Sequence, residues 1–156
     1  MLSIRVFVLS LLIFAGAFGT HEVMHLLVIY AVGGSGVIVV RPWRLGLADI
    51  TIYALHAQPS EPLGLTRQAL VNFLGPALAA VPLLALWAAV RDTAARFALW
   101  ANILILAFYA LIETSDLLVE ERGNFDISLL TTPEFNYGVP LLIIVAATFL
   151  ATRQRD

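Results

Sequence analysis

Apolar residues in this chain gather into long runs separated by short breaks rich in polar residues, glycine or proline. Four runs approach the ~20 residues that a helix needs to cross the hydrocarbon of a bilayer. They cover roughly 4–31, 68–90, 97–118 and 139–152, the last being short unless flanking residues extend it. Gly33-Gly34-Ser35-Gly36 closes the first run, because glycine breaks helical periodicity and reverses the backbone without strain. Beyond it the pattern changes. Val37-Ile38-Val39-Val40 is short, apolar and β-branched, Arg41-Pro42 punctuates it, and Ile50-Thr51-Ile52-Tyr53 lies in a second stretch of the same kind. Two strands, about 36–41 and 47–55, are expected to pair as a hairpin. An open strand edge is not tolerated against lipid, so the hairpin should be covered by protein or lie in the interfacial zone. Pro59 and Pro62 end the strand region, and helical pattern resumes from about Leu65. The expected fold is a polytopic α-helical membrane protein: about four transmembrane helices, with a short membrane-associated β-hairpin (36–55) between the first and second, in one domain over 1–156.

Composition agrees. The 156 residues are 60% hydrophobic and 13% charged, beyond the roughly half-apolar make-up of soluble domains, and the mean hydropathy is +0.90. Without cysteine there is no disulfide framework and no thiolate metal site, so any metal ligands must be His, Asp or Glu. The net charge is −2 and the nine basic residues, all arginine, are scattered, which speaks against a nucleic-acid partner. Arg5 before an apolar stretch, with Ala15-Gly16-Ala17 as a small-residue site, has the outline of a secretory leader. Hydrophobicity continues through Leu26-Leu27-Val28-Ile29-Tyr30, however, so an uncleaved spanning helix is expected. Arginines number five on the N-terminal side of the membrane (Arg5, Arg91, Arg96, Arg153, Arg155) and four on the other. That small excess favours both termini in the cytoplasm, in a cell membrane.

Inside the first apolar run lies His21-Glu22-Val23-Met24-His25. Residues four apart share a helix face, so His21 and His25 can offer imidazole nitrogens to one Zn²⁺ while Glu22 takes a proton from a water beside it. Charged groups at bilayer depth cost roughly 2.5 kcal/mol or more unless paired, and a bound dication would pair them. The competing reading is three polar residues near a helix end, each bonded separately to neighbouring helices.

Other polar or irregular features fall on the same side of the membrane. The second helix begins on the side where the first ends, which places Asn72 and Gly75-Pro76 there, and the third ends there with Glu113 and Asp116. Gly75-Pro76 reads either as a packing kink or as a shaper of the site. Catalytic zinc takes three protein ligands. Glu113 and Asp116, three apart on one helix face, are candidates for the third, one binding and the other supporting a histidine.

In this order of elements the chain resembles the site-2 protease family of intramembrane zinc metalloproteases. The features that carry the likeness are His21, Glu22 and His25 in a transmembrane helix, the β segment at 36–55, Gly75-Pro76, and the later Asp116. The resemblance implies hydrolysis of peptide bonds in membrane-embedded or membrane-adjacent substrates, within the lipid bilayer. It implies His21, His25 and Asp116 as Zn²⁺ ligands, Glu113 as the alternative third ligand, and Glu22 as base. Asn72, Gly75 and Pro76 would contact substrate. Two departures stand out: Met24 occupies a position where the family commonly has glycine, and Asp116 lacks the Asn-Pro-x-x-Asp-Gly context. Asn72 or Asn102 would have to replace that asparagine. His56 reads as an ordinary polar residue in the connection from strand to helix, with lining of the site as the lesser alternative, and the length suits a minimal core without an appended domain. A membrane metal-binding or transport protein, and an inactive relative that binds partner helices, are the alternative functions.

Overall fold

A computed structural model describes residues 2–45, 50–122 and 132–153. Its elements are α1 (Leu2–Ala31), β1 (Gly36–Leu45), β2 (Ile50–Pro59), α2 (Leu65–Ala89), α3 (Thr93–Arg122) and α4 (Pro133–Arg153). Among the described residues, four helices are long and apolar enough to span a membrane, and a two-stranded antiparallel hairpin lies between the first two. Leu12, Leu27, Leu84, Leu111 and Leu142 leave the outer surface apolar, as a bilayer requires.

The terminators act as their chemistry dictates. Gly33 has φ of 82°, its N–H donates to Tyr30 O at 3.0 Å, and the Gly34 N–H reaches back to Ile29 O at 2.9 Å. This pair of bonds caps the last carbonyls of α1 and requires the left-handed backbone that glycine adopts freely. Asp92 caps α3 by accepting the Ala95 N–H at 2.9 Å. α4 begins earlier than the hydropathy run suggests, because Thr132 Oγ1 accepts the Phe135 N–H at 3.3 Å and Pro133 occupies the first helical position. Asn136 and Tyr137, assigned from the sequence to a polar connection, are therefore helical.

The hairpin is longer than expected and its second strand is shifted toward the C-terminus; Leu47 to Asp49 of the expected strand lie outside the described residues. Its register places Ile38 opposite Ala57 and Pro42 opposite Tyr53. Ala57 turns its N–H away from β1 to a side chain on α1, so that pair is one whose N–H groups point outward. Pro42 lies in the same class of pair, two alternations along, and its missing N–H removes no ladder bond. Arg41-Pro42 therefore does not end the strand.

α2 packs most extensively on α3, and α1 lies against both, while β2 rests on α1. Val28, Ile29, Val71 and Ala57 form a buried cluster that joins the hairpin to α1 and α2. Ile105, Tyr109 and Ile144 join α3 to α4. Arg5 pairs with Asp92 at 3.3 Å, which puts the start of α1 beside the turn between α2 and α3. At the opposite end, the second half of α1, the start of α2, the end of α3, the start of α4 and the hairpin converge.

Candidate metal centre

A cavity of about 440 Å³ lies at that convergence, lined in part by His21, Glu22, His25, His56, Asn72 and Glu113. His21 and His25 sit one helical turn apart on α1 and are almost fully buried. Their Nε2 atoms are 2.6 Å apart. Glu113, on α3, brings Oε1 to 3.3 Å from His21 Nε2 and Oε2 to 3.1 Å from His25 Nε2. One ligand atom from each of the three lies within 4.8 Å of the others.

The donor set suits a divalent ion. His25 Nδ1 lies 2.9 Å from Val71 O on α2, and since a carbonyl only accepts, Nδ1 carries a proton, which in the neutral ring leaves the Nε2 lone pair for the cavity. Two imidazoles and one carboxylate without cysteine form a ligand set used by catalytic zinc. His21 is oriented differently. Its Nδ1 is buried without a hydrogen-bond partner among the described residues. Its ring stacks on Tyr109 with centroids 5.4 Å apart and planes 19° apart, and meets Phe18 edge-on at 6.2 Å.

Glu22, buried on the next position of α1, accepts the Ala57 N–H through Oε2 at 2.7 Å. The hairpin thus supplies a backbone donor to a carboxylate that would otherwise be a lone acceptor at membrane depth. Gly75 lets α2 approach His25. A Cβ there would lie 2.6 Å from His25 Cε1 and 2.7 Å from Cγ, nearer than atoms can pack. The close approach that the Gly75-Pro76 step allows is thus made to the His25 ring.

Asn72 lies at the cavity, with its side chain already engaged. Its Nδ2 donates to the backbone carbonyl of Glu113 at 2.9 Å, and its Oδ1 accepts from Gln68 Nε2 at 2.8 Å. Asn102 lies elsewhere, donating to Ser10 O at 3.1 Å and Ala98 O at 2.9 Å on the α1–α3 seam. Asp116 lines the cavity, but the three-residue cluster contains Glu113 in its place.

Several cavity residues were not singled out by sequence reasoning. Tyr109 lies one turn before Glu113 on the same face of α3 and donates its hydroxyl to Asn136 O at 2.7 Å, tying α3 to α4. The four-residue spacing to Glu113 was the available signal for it. Asn136 and Tyr137 reach the cavity because α4 starts at Pro133, and Thr132-Pro133-Glu134, a cap followed by a first-turn proline and acid, was the signal there. His56, expected in a connection, stands on β2 opposite Val39 and lines the cavity. Partial desolvation lowers its pKa, against the opposing pull of the Glu22 charge, and so favours the neutral imidazole.

Comparison of the chain with protein-family models, with curated proteins and with solved structures returns no match.

Proposed function

We propose that this chain is a zinc-dependent intramembrane endopeptidase of the site-2 protease type. The observation that carries the reading is the meeting of His21, His25 and Glu113 from two membrane-spanning helices, with Glu22 beside them, in one cavity at the hairpin. His21, His25 and Glu113 would hold the ion, which when bound polarises a carbonyl and acidifies water. Glu22 takes the proton of the attacking water and passes it to the departing amide nitrogen. The Ala57 N–H fixes the carboxylate for that task.

The substrate would be a transmembrane or membrane-adjacent segment in extended form. Leu55, Ala57 and Pro59 on the outward edge of β2 line the cavity, so a strand added there would run beside the ligands. Phe18, Ile112 and Leu117 give the rest of the wall an apolar character suited to membrane side chains.

A metal carrier would need polar groups continuing through the other half of the bundle. Ser10 and Asn102, whose Oγ and Oδ1 are buried without partners among the described residues, are a start of such a path. Along α1 and α3, Phe14, Ala17, Ile105 and Leu106 lie between these and the level of His21, all within or packed against apolar clusters. That barrier favours hydrolysis over transport.

The test is metal content of detergent-purified protein beside turnover of a dye- and quencher-labelled transmembrane peptide in the same vesicles. The expected result is about one zinc per chain, retained in Glu22→Gln together with loss of cleavage. Undiminished cleavage by that variant, or absence of stoichiometric metal in folded, zinc-reconstituted protein, would overturn the proposal.

A further inference from the structure

We propose that His56 is a catalytic residue that donates a hydrogen bond to the oxygen of the scissile carbonyl as its carbon becomes tetrahedral. The inference rests on the endopeptidase reading and adds a group that the HExxH pattern does not contain.

It starts from how the polar side chains of the cavity are engaged. Asn72 gives one amide hydrogen to Glu113 O, and Gln68 gives one of its own to Asn72 Oδ1. The Tyr109 hydroxyl donates to Asn136 O, and the Asn136 amide gives one hydrogen to Thr132 O at 3.2 Å. Asp116 and Tyr137 are engaged as well. Glu22, as a carboxylate, can only accept. His56, exposed on β2, lines the same cavity, and its side chain makes no hydrogen bond to a described residue.

Placement agrees with the role. His56 adjoins Ala57, whose N–H is 2.7 Å from Glu22, and it feels the charges of Glu22, His25 and Glu113. A peptide laid along β2 beside Glu22 therefore passes within the histidine's neighbourhood. A neutral imidazole always carries one N–H, and as a donor it need not ionise.

The step balances without further reagents. The oxygen of water adds to the carbonyl carbon, its proton goes to Glu22, and the C=O π pair moves onto the carbonyl oxygen. His56 donates to that oxygen and keeps its proton. The pair then returns, the C–N bond breaks, and the proton on Glu22 goes to the departing nitrogen, leaving one carboxylic acid and one amine. A donor that strengthens its bond only as charge appears on oxygen raises kcat and leaves KM nearly unchanged.

The experiment uses zinc-loaded protein in two arms. With the labelled transmembrane peptide, His56→Ala is expected to lower kcat by about 10²–10³-fold, the range for loss of one oxyanion donor, with KM little changed. His56→Gln, which restores an N–H, should regain part of that loss. Zinc stoichiometry and the visible spectrum of the cobalt-substituted protein should match wild type in both variants. In the second arm, which needs no turnover, a phosphinic peptide mimicking the tetrahedral carbon should bind His56→Ala about tenfold or more weakly, while its parent amide binds equally to both. A kcat within about threefold of wild type in His56→Ala would overturn the proposal. So would equal phosphinate affinity, or a wild-type protein that does not prefer phosphinate over amide. If Glu22→Gln cleaves at full rate, the endopeptidase reading itself falls; if only His56→Ala does, the failure belongs to this inference alone.

Discussion

The Ala57 N–H on the hairpin and Glu22 Oε2 on α1 are 2.7 Å apart, joined by a hydrogen bond in a buried setting. That bond ties the position of the proposed base to the edge of β2. Because the N–H points out of the ladder, Ala57→Pro removes it without breaking a strand pairing. An orphaned buried acceptor costs about 1–3 kcal/mol, and a base free to swing loses its alignment. We expect Ala57→Pro to keep its zinc, unfold more readily in a detergent thermal melt, and cleave the labelled peptide about tenfold more slowly, alignment loss being the cause. Ala57→Gly, which retains the N–H, should stay near wild type in rate. Equal rates for the proline and glycine variants would show that the bond does not position Glu22.

Gly75 makes a second close contact testable. The Cβ of Gly75→Ala would overlap the His25 ring, whose Nδ1 is bonded to Val71 O, so the imidazole must leave that position or the helices must part. Disturbing the partner that orients a ligand histidine lowers metal affinity by about 10–100-fold. Competition with a zinc chelator should show a loss of that size in Gly75→Ala. Gly16→Ala is the control: no atom lies within 4 Å of its Cβ, and zinc affinity should not change.

Glu113 and Asp116 can be separated by charge-neutral substitution. Glu113 touches both histidines and Asp116 is not in the ligand cluster, so Glu113→Gln should abolish stoichiometric zinc and Asp116→Asn should retain it. Loss of metal from Asp116→Asn alone would return the ligand to the position that the family resemblance favours.

This pair also shows where the sequence was legible. Spacing of four on α1 defined His21 and His25 because both candidate ligands lie on one helix, where periodicity alone fixes the shared face. Placing Glu113 against Asp116 depends on how α3 is rotated about its axis relative to α1, and two carboxylates three apart share a face too broad for sequence to divide. The four spans followed from length and hydropathy, which the bilayer sets directly. The strand ends did not, because whether Pro42 breaks a ladder depends on which way its nitrogen points in the paired register. His56 was placed in a connection for the same reason: its strand extends to Pro59 only through pairing with Gly36.

Asn72 holds α3 through one hydrogen of its amide. Its bond to Glu113 O fixes the backbone from which the proposed ligand projects, and Gln68 holds the amide in turn. Asn72→Ala should therefore lower zinc affinity by about tenfold, the lower range for loss of a group supporting a ligand, without changing peptide KM. A raised KM with unchanged zinc affinity would assign Asn72 to the substrate instead.

Asp92 supplies a pH dependence remote from the cavity. The Ala95 N–H, and then Arg5, hold its carboxyl below the ordinary value of 3.8. A folded-state pKa below the unfolded one means the unfolded chain binds the proton more readily as pH falls. The stabilisation is thus complete above the ordinary carboxylate range, and is lost as pH falls through it toward the folded value. In thermal melts, Asp92→Ala should be less stable than wild type at neutral pH and converge with it on acidification. Added salt should weaken the Arg5 share, since both side chains are exposed, while the cap to Ala95 persists. Zinc affinity should be unaffected at neutral pH, because Arg5 and Asp92 sit at the end of the bundle opposite the cavity. A change in zinc affinity in this variant would mean that the two ends of the bundle are coupled.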